Sequence, residues 1–204
     1  MTKTSRRLLR RRDVQSGRLE GGGGGRISGK PEQHAEPDPD WVESLVRTLD
    51  SDDPAERSRA RIALVRMGRP VGPWLTHALA HQKGQVRWEA AMALGLIRDP
   101  ASAAALVQAL EDDMLEVRWA AADGLLALER DGLVALLRGL IARSGSIRLR
   151  ESAHRILSRT AHGEDGPILK PVLDALESTA PMAALPIAAY TVLNSLKGQT
   201  SGSV

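Results

Sequence analysis

The stretch VRWEAAMALGLIRDP at Val86–Pro100 returns thirty-one residues later as VRWAAADGLLALERDG at Val117–Gly132. Self-similarity at a fixed short period leaves a chain few options: each copy is one supersecondary unit, and neighbouring units must stack to bury a core. The period extends beyond these two copies. Leu45 and Leu49, Leu75 and Leu79, Leu106 and Leu110, and Leu136 and Leu140 form four L-x-x-x-L pairs at offsets of 30, 31 and 30. That spacing sets two leucines on one helical face. Eight residues after each pair stands an arginine, Arg57, Arg87, Arg118 or Arg148, with turn formers such as DSDDP, HQKG, EDD and RSGS in between. Each unit therefore reads as a first helix, a tight turn and a second helix. A fifth, divergent unit follows, with Val172 and Leu176 as its pair, an offset of 36 and Ala184 in the arginine place. A terminal unit has a neighbour on one side only, so the divergence fits a cap.

Composition agrees with close-packed helices. The chain has no phenylalanine, one tyrosine and 42% hydrophobic residues, and small aliphatic side chains suit helices better than sheets. Cysteine is absent, which excludes disulfides, thiolate metal sites and thiol nucleophiles and accords with a reducing, cytoplasmic setting. The net charge of +3 lies wholly in residues 1–40, where nine basic groups face six acidic ones. That segment reads as a disordered arm, with the Gly21–Gly25 run and the turn-rich PEQHAEPDPD before Trp41. SRRLLRRR has the look of a twin-arginine leader but lacks the apolar region of about 7–15 residues that export requires. An arm of this length reaches roughly 35 Å. It is either a solvated terminus or a means of carrying Arg6, Arg7, Arg10, Arg11 and Arg12 to an acidic protein or nucleic acid.

The expected organisation is an arm over 1–40, units at about 41–70, 71–100, 101–131, 132–163 and 164–198, and a tail over 199–204. The run VRWEAAMALGLIRDPASAAALVQALEDDMLEVRWAAADGLLAL resembles tandem HEAT-like repeats of the phycobilisome-lyase (PBS-lyase) type, with their VR-x-x-AA-x-AL-G pattern. The resemblance is closest over residues 71–131 and implies an all-α superhelix, an α-solenoid of about five two-helix repeats. It also implies that the repeated arginines bridge to an Asp in a neighbouring turn, with Asp52 and Asp113 as candidates, although Gln82 and Arg143 hold the matching places elsewhere. In the fourth unit, IRLRESAHRIL allows the register to slip by one residue.

On the second helix of units two and three, Val86, Ala90, Ala93, Leu94 and Ile97, and Val117, Ala121, Gly124, Leu125 and Leu128, share one face and are expected to pack on the first helix. The opposite face is expected to line the concave side of the superhelix and to bind a partner. It comprises Ser58, Arg59, Ile62, Arg66, Trp88, Glu89, Met92, Leu96, Trp119, Ala120, Asp123, Leu149 and Arg150. Trp, Arg and Met are apt for such a surface, although each Trp can equally tuck between adjacent second helices. Trp41 and Trp74, near first-helix starts, read as packing residues.

No catalytic constellation stands out, and neither a metal nor a cofactor is expected. His77 and His81 lie at i, i+4 without a third ligand. HEAT-like deoxyhypusine hydroxylases depend on His-Glu dipeptides, and this chain has none. GGGGGRISGK lacks the spacing of a phosphate loop. The charge-free STAPMAALPIAAYTVLNSL is broken by Pro181 and Pro186, so it reads as a docking or self-association surface, or a buried helix, rather than a membrane span. These observations lead to a non-enzymatic scaffold gripping a protein partner. The alternatives are an enzyme-linked relative, such as a bilin lyase-like subunit, and a nucleic-acid-binding HEAT-like protein, which the net-neutral body disfavours.

Overall fold

A computed structural model describes residues 37–162 and 166–200, with side chains as far as Lys197. The arginine-rich part of the arm, Arg6 to Arg12, lies outside the described residues. Ten helices follow in order: α1 (Pro39–Thr48), α2 (Pro54–Met67), α3 (Gly72–Ala78), α4 (Gly84–Ile97), α5 (Ala103–Ala109), α6 (Leu115–Ala127), α7 (Glu129–Ala142), α8 (Ile147–Thr160), α9 (Gly166–Glu177) and α10 (Pro181–Thr200). The described residues contain no strand. Helix α1 begins inside the expected arm, because the Asp38 carboxylate caps it by accepting from the Asp40 N–H. Helix α10 runs into the expected tail.

The first and second helices alternate as the leucine pairs require, and the fold is an α-solenoid. Leu49, Leu75, Leu106, Leu110, Leu136 and Leu140 are fully buried. The second helices pack in sequence, α2 on α4, α4 on α6 and α6 on α8, while α1 packs on α3 and α5 on α7. Helices α4 and α6 touch through backbone: a Cβ on Gly95 would lie 2.9 Å from the Gly124 Cα, so only glycine permits this approach. Helices α6 and α7 are separated by Leu128 alone, and the chain reverses at Glu129 with φ 50°. Here Gly132 is obligatory, since its Cβ would sit 2.0 Å from the Leu125 carbonyl oxygen.

The repeated arginine ties each second helix to the turn before it. Arg57 Nη1 donates to the carbonyls of Ser51 and Asp52, Arg87 Nη1 to those of His81 and Gln82, and Arg118 Nη1 to those of Asp112 and Asp113, at 2.7–3.2 Å. Each is the fourth residue of its helix, where a side chain leans back over the N-terminus toward otherwise orphaned turn carbonyls. In the fourth unit that place belongs to Arg150, whose Nη1 donates to the Ser144 carbonyl at 2.7 Å. The register has slipped by two residues, and the expected Arg148 is exposed, reaching the Glu111 carbonyl at 3.3 Å. The added residues lie in the turn, where Ser146 supplies an N-cap to the Leu149 N–H.

The expected bridge from arginine to aspartate is found once in full. Arg87 grips Asp112 through Nε at 2.7 Å and Nη2 at 2.9 Å, and Asp113 through Nη2 at 2.5 Å. Arg57 uses the Asp52 carbonyl, not its carboxylate. The last pair of helices departs from the regular order: α9 packs on α8, and α10 packs on α7 as well as α9. Arg130, at the start of α7, donates to the Leu196 carbonyl, and Ser144, just past its end, donates to that of Met182. Helix α10 thus runs antiparallel along α7.

Burial pushes the Asp112 carboxyl up. The hydrogen bonds from Arg87 and from the Met114 N–H outweigh that and hold it below its ordinary value. A depressed carboxylate contributes stability that is complete above about pH 4 and disappears as pH falls through the lower, folded value. Chemical denaturation followed across the acid range is expected to show a shallower loss below about pH 4 in Asp112→Asn than in the wild type.

Candidate functional site

The free face of the second helices carries the polar and aromatic side chains that the core does not use. Of the residues expected there, Arg59, Ile62, Arg66, Leu96, Trp119 and Asp123 are exposed, and Ser58, Trp88, Met92 and Arg150 are half-buried. Three are not on the surface. Glu89 is only 3% exposed. Its carboxylate takes Arg61 Nη1 at 2.6 Å, lies 3.5 Å from Arg57 Nε and accepts from Gln85 Nε2 at 3.3 Å. A carboxylate at that depth is retained because guanidinium groups surround it. Leu149 is fully buried, since the two-residue slip gives it the core place that Val117 holds in the third unit. Ala120 is buried where α6 meets its neighbours. Arg150 is spent on the Ser144 carbonyl.

The two indoles are treated alike in one respect and differently in another. Each lies under a guanidinium, with Arg61 5.7 Å from the Trp88 centroid and Arg155 5.8 Å from that of Trp119, within cation–π range. Trp88 takes its arginine from the preceding helix α2 and is half-buried. Trp119 takes its arginine from the following helix α8 and is 47% exposed. Arg159 Nη1 reaches Asp123 at 3.1 Å. Burial first, then the charges of Arg118 and Arg159, push the Arg155 guanidinium down from its ordinary value against the pull of Asp123. Arg155 and Arg159 were absent from the sequence-derived surface. They become legible once the fourth unit is aligned on Arg150, which sets Arg155 level with Met92 and Asp123.

The other tryptophans lie elsewhere. Trp41, expected as a packing residue, is 53% exposed and borders a shallow cleft with Leu45, Thr48 and Arg59. Trp74 lines a cleft of about 790 Å³ between α1 and α3, together with His77, His81 and Arg47. Among the described residues no three side chains of metal-ligating type gather.

Stacked helix pairs with a recurring arginine tie define the class: an α-solenoid repeat protein. A family model for HEAT repeats matches residues 72–158, and over that stretch the chain carries HEAT-like repeats. A solved structure, the complex of CpcE and CpcF of phycocyanin lyase from Nostoc sp. PCC7120, contains a chain similar to this one at 25% identity. The alignment covers 74% of this chain and 99% of that one, with a TM-score of 0.52. No curated protein matches. The expectation of a non-enzymatic scaffold is overturned here, because the solved relative belongs to a lyase complex. No described helix is long and apolar enough to cross a membrane.

The burial difference has an optical consequence. Iodide is expected to quench a larger share of the fluorescence lost in Trp119→Phe than of that lost in Trp88→Phe. Equal quenching of both indoles would contradict the placement.

Proposed function

We propose that the chain is a bilin lyase-like subunit, which brings a linear tetrapyrrole together with the phycobiliprotein that receives it and works in a complex with a second protein chain. The observation that carries the reading is the likeness of this chain to almost the full length of a phycocyanin lyase subunit. The free face of α4, α6 and α8 suits such a task. Trp88, Met92, Leu96 and Trp119 offer flat, polarisable contact to a conjugated ring system. Arg66, Arg155 and Arg159 surround it with groups that favour acidic substituents. The chain's own part is to bind, to orient and to shield the chromophore from water while the phycobiliprotein approaches.

The second chain docks in this reading on the outer side of α10, where Met182, Ile187 and Tyr190 are all exposed and the helix carries no charge from Pro181 to Leu196. A patch without charge is matched by another without charge, and a second copy or a related repeat chain provides one. A cytoplasmic location belongs to the same proposal.

Mixing the chain with phycocyanobilin and apo-phycocyanin, alone and together with each Nostoc lyase subunit, tests the reading. Retention of bilin and apo-phycocyanin is expected, together with faster covalent chromophore attachment in the presence of one subunit, read as zinc-enhanced bilin fluorescence on denaturing gels. Retention of neither would overturn it.

A further inference from the structure

The two guanidinium–indole pairs on the free face differ by a single carboxylate. Arg61 over Trp88 is neutralised by Glu89, the residue after that tryptophan, at 2.6 Å. The residue after Trp119 is Ala120. Among the described residues, Arg155 makes neither an ion pair nor a hydrogen bond, even though Glu151 lies one turn earlier on α8 and Asp123 lies across on α6. The Arg155 guanidinium feels the charges of Asp123, Arg118 and Arg159, and Asp123 is held by Arg159. Arg118 is occupied with two turn carbonyls. Arg155 is therefore a partly buried cation lying on an exposed indole, without the acidic partner that its counterpart has. Leaving such a group unpaired costs stability in the free protein, and a carboxylate arriving from outside would recover it through charge-assisted hydrogen bonds.

The geometry points to a carboxylate subsite at Arg155 and Arg159 above Trp119, which takes the acidic side chain of a flat, conjugated ligand whose ring system stacks on the indole. This subsite rests on the lyase-like reading, in which the ligand is a linear tetrapyrrole with carboxylate substituents. It adds which residues receive the acid and predicts that charge, not ring contact alone, sets the affinity. The missing carboxylate is supplied by the ligand in the third unit and by Glu89 in the second. The ligand therefore docks toward α6 and α8 and leaves the Trp88 pair intact.

Biliverdin and its dimethyl ester separate the acid from the ring system. Binding is read by quenching of tryptophan emission in the full chain, with helical content checked by circular dichroism and Arg138→Gln, on the exposed side of α7, as a control. The free acid is expected to bind roughly tenfold or more tighter than the ester. Arg155→Gln and Arg159→Gln should each remove most of that difference and leave the affinity for the ester unchanged. Equal binding of acid and ester by the wild type, or acid binding unaffected by Arg155→Gln, would overturn the subsite while leaving the lyase-like reading in place. Equal weakening of acid and ester in Arg155→Gln would assign that arginine to packing and overturn the subsite as well. Binding of neither molecule would overturn both.

Discussion

A guanidinium folded back over the start of a second helix, donating to the carbonyls of the turn before it, is the contact on which the rest of this solenoid depends. A tight turn between two packed helices leaves backbone acceptors without a helical partner. Arg57, Arg87, Arg118 and Arg150 serve them from the same helical position. Because the arginine is planar and forked, it fixes direction as well as distance. Each second helix then enters the stack with one rotation about its axis. That rotation decides which side chains meet the first helices and which are left on the free face.

The consequences of rotation are clearest where the chain lengthens. Two extra residues in the turn between the helices of the fourth unit leave the tie intact but move it from Arg148 to Arg150. Leu149 enters the core, Arg150 is taken up by the turn, and Arg155 and Arg159 come to stand beside Trp119 and Asp123. The cationic character of this part of the face is thus a product of register. Pairwise differences between units then acquire chemical meaning, as with Glu89 in one unit and Ala120 in the next. Under the proposed lyase-like reading that contrast acquires a use, since an acidic chromophore would bring the charge the third unit lacks.

Much of this was legible in the chain itself. The leucine pairs identify four first helices because a buried helical face tolerates little else, and the repeated arginines mark four second helices, three of them correctly. The core of units two and three follows from 3.6-residue periodicity alone. What escaped has physical causes. Glu89 looks like a surface acid in a linear reading, because its burial depends on Arg57 and Arg61 one helix away. The slip in the fourth unit is ambiguous in IRLRESAHRIL, where arginines stand at alternate positions and only the cap geometry selects one. The crossing of α10 onto α7 is a tertiary choice, sealed by Arg130 and Ser144 donating to carbonyls of α10, and no periodicity records it. The missing catalytic constellation suggested a scaffold, but a subunit that positions a reaction leaves little more trace in its residues than one that only binds.

The register of the fourth unit is the claim on which the free face stands, and it is open to a direct test. Urea unfolding of Arg148→Met and Arg150→Met, compared with the wild type, separates the two alignments. If Arg150 carries the tie, its loss leaves a turn carbonyl unserved and costs about 1–3 kcal/mol, whereas loss of the exposed Arg148 stays within about 0.5 kcal/mol. The opposite order, with Arg148→Met the damaging change, would contradict the account.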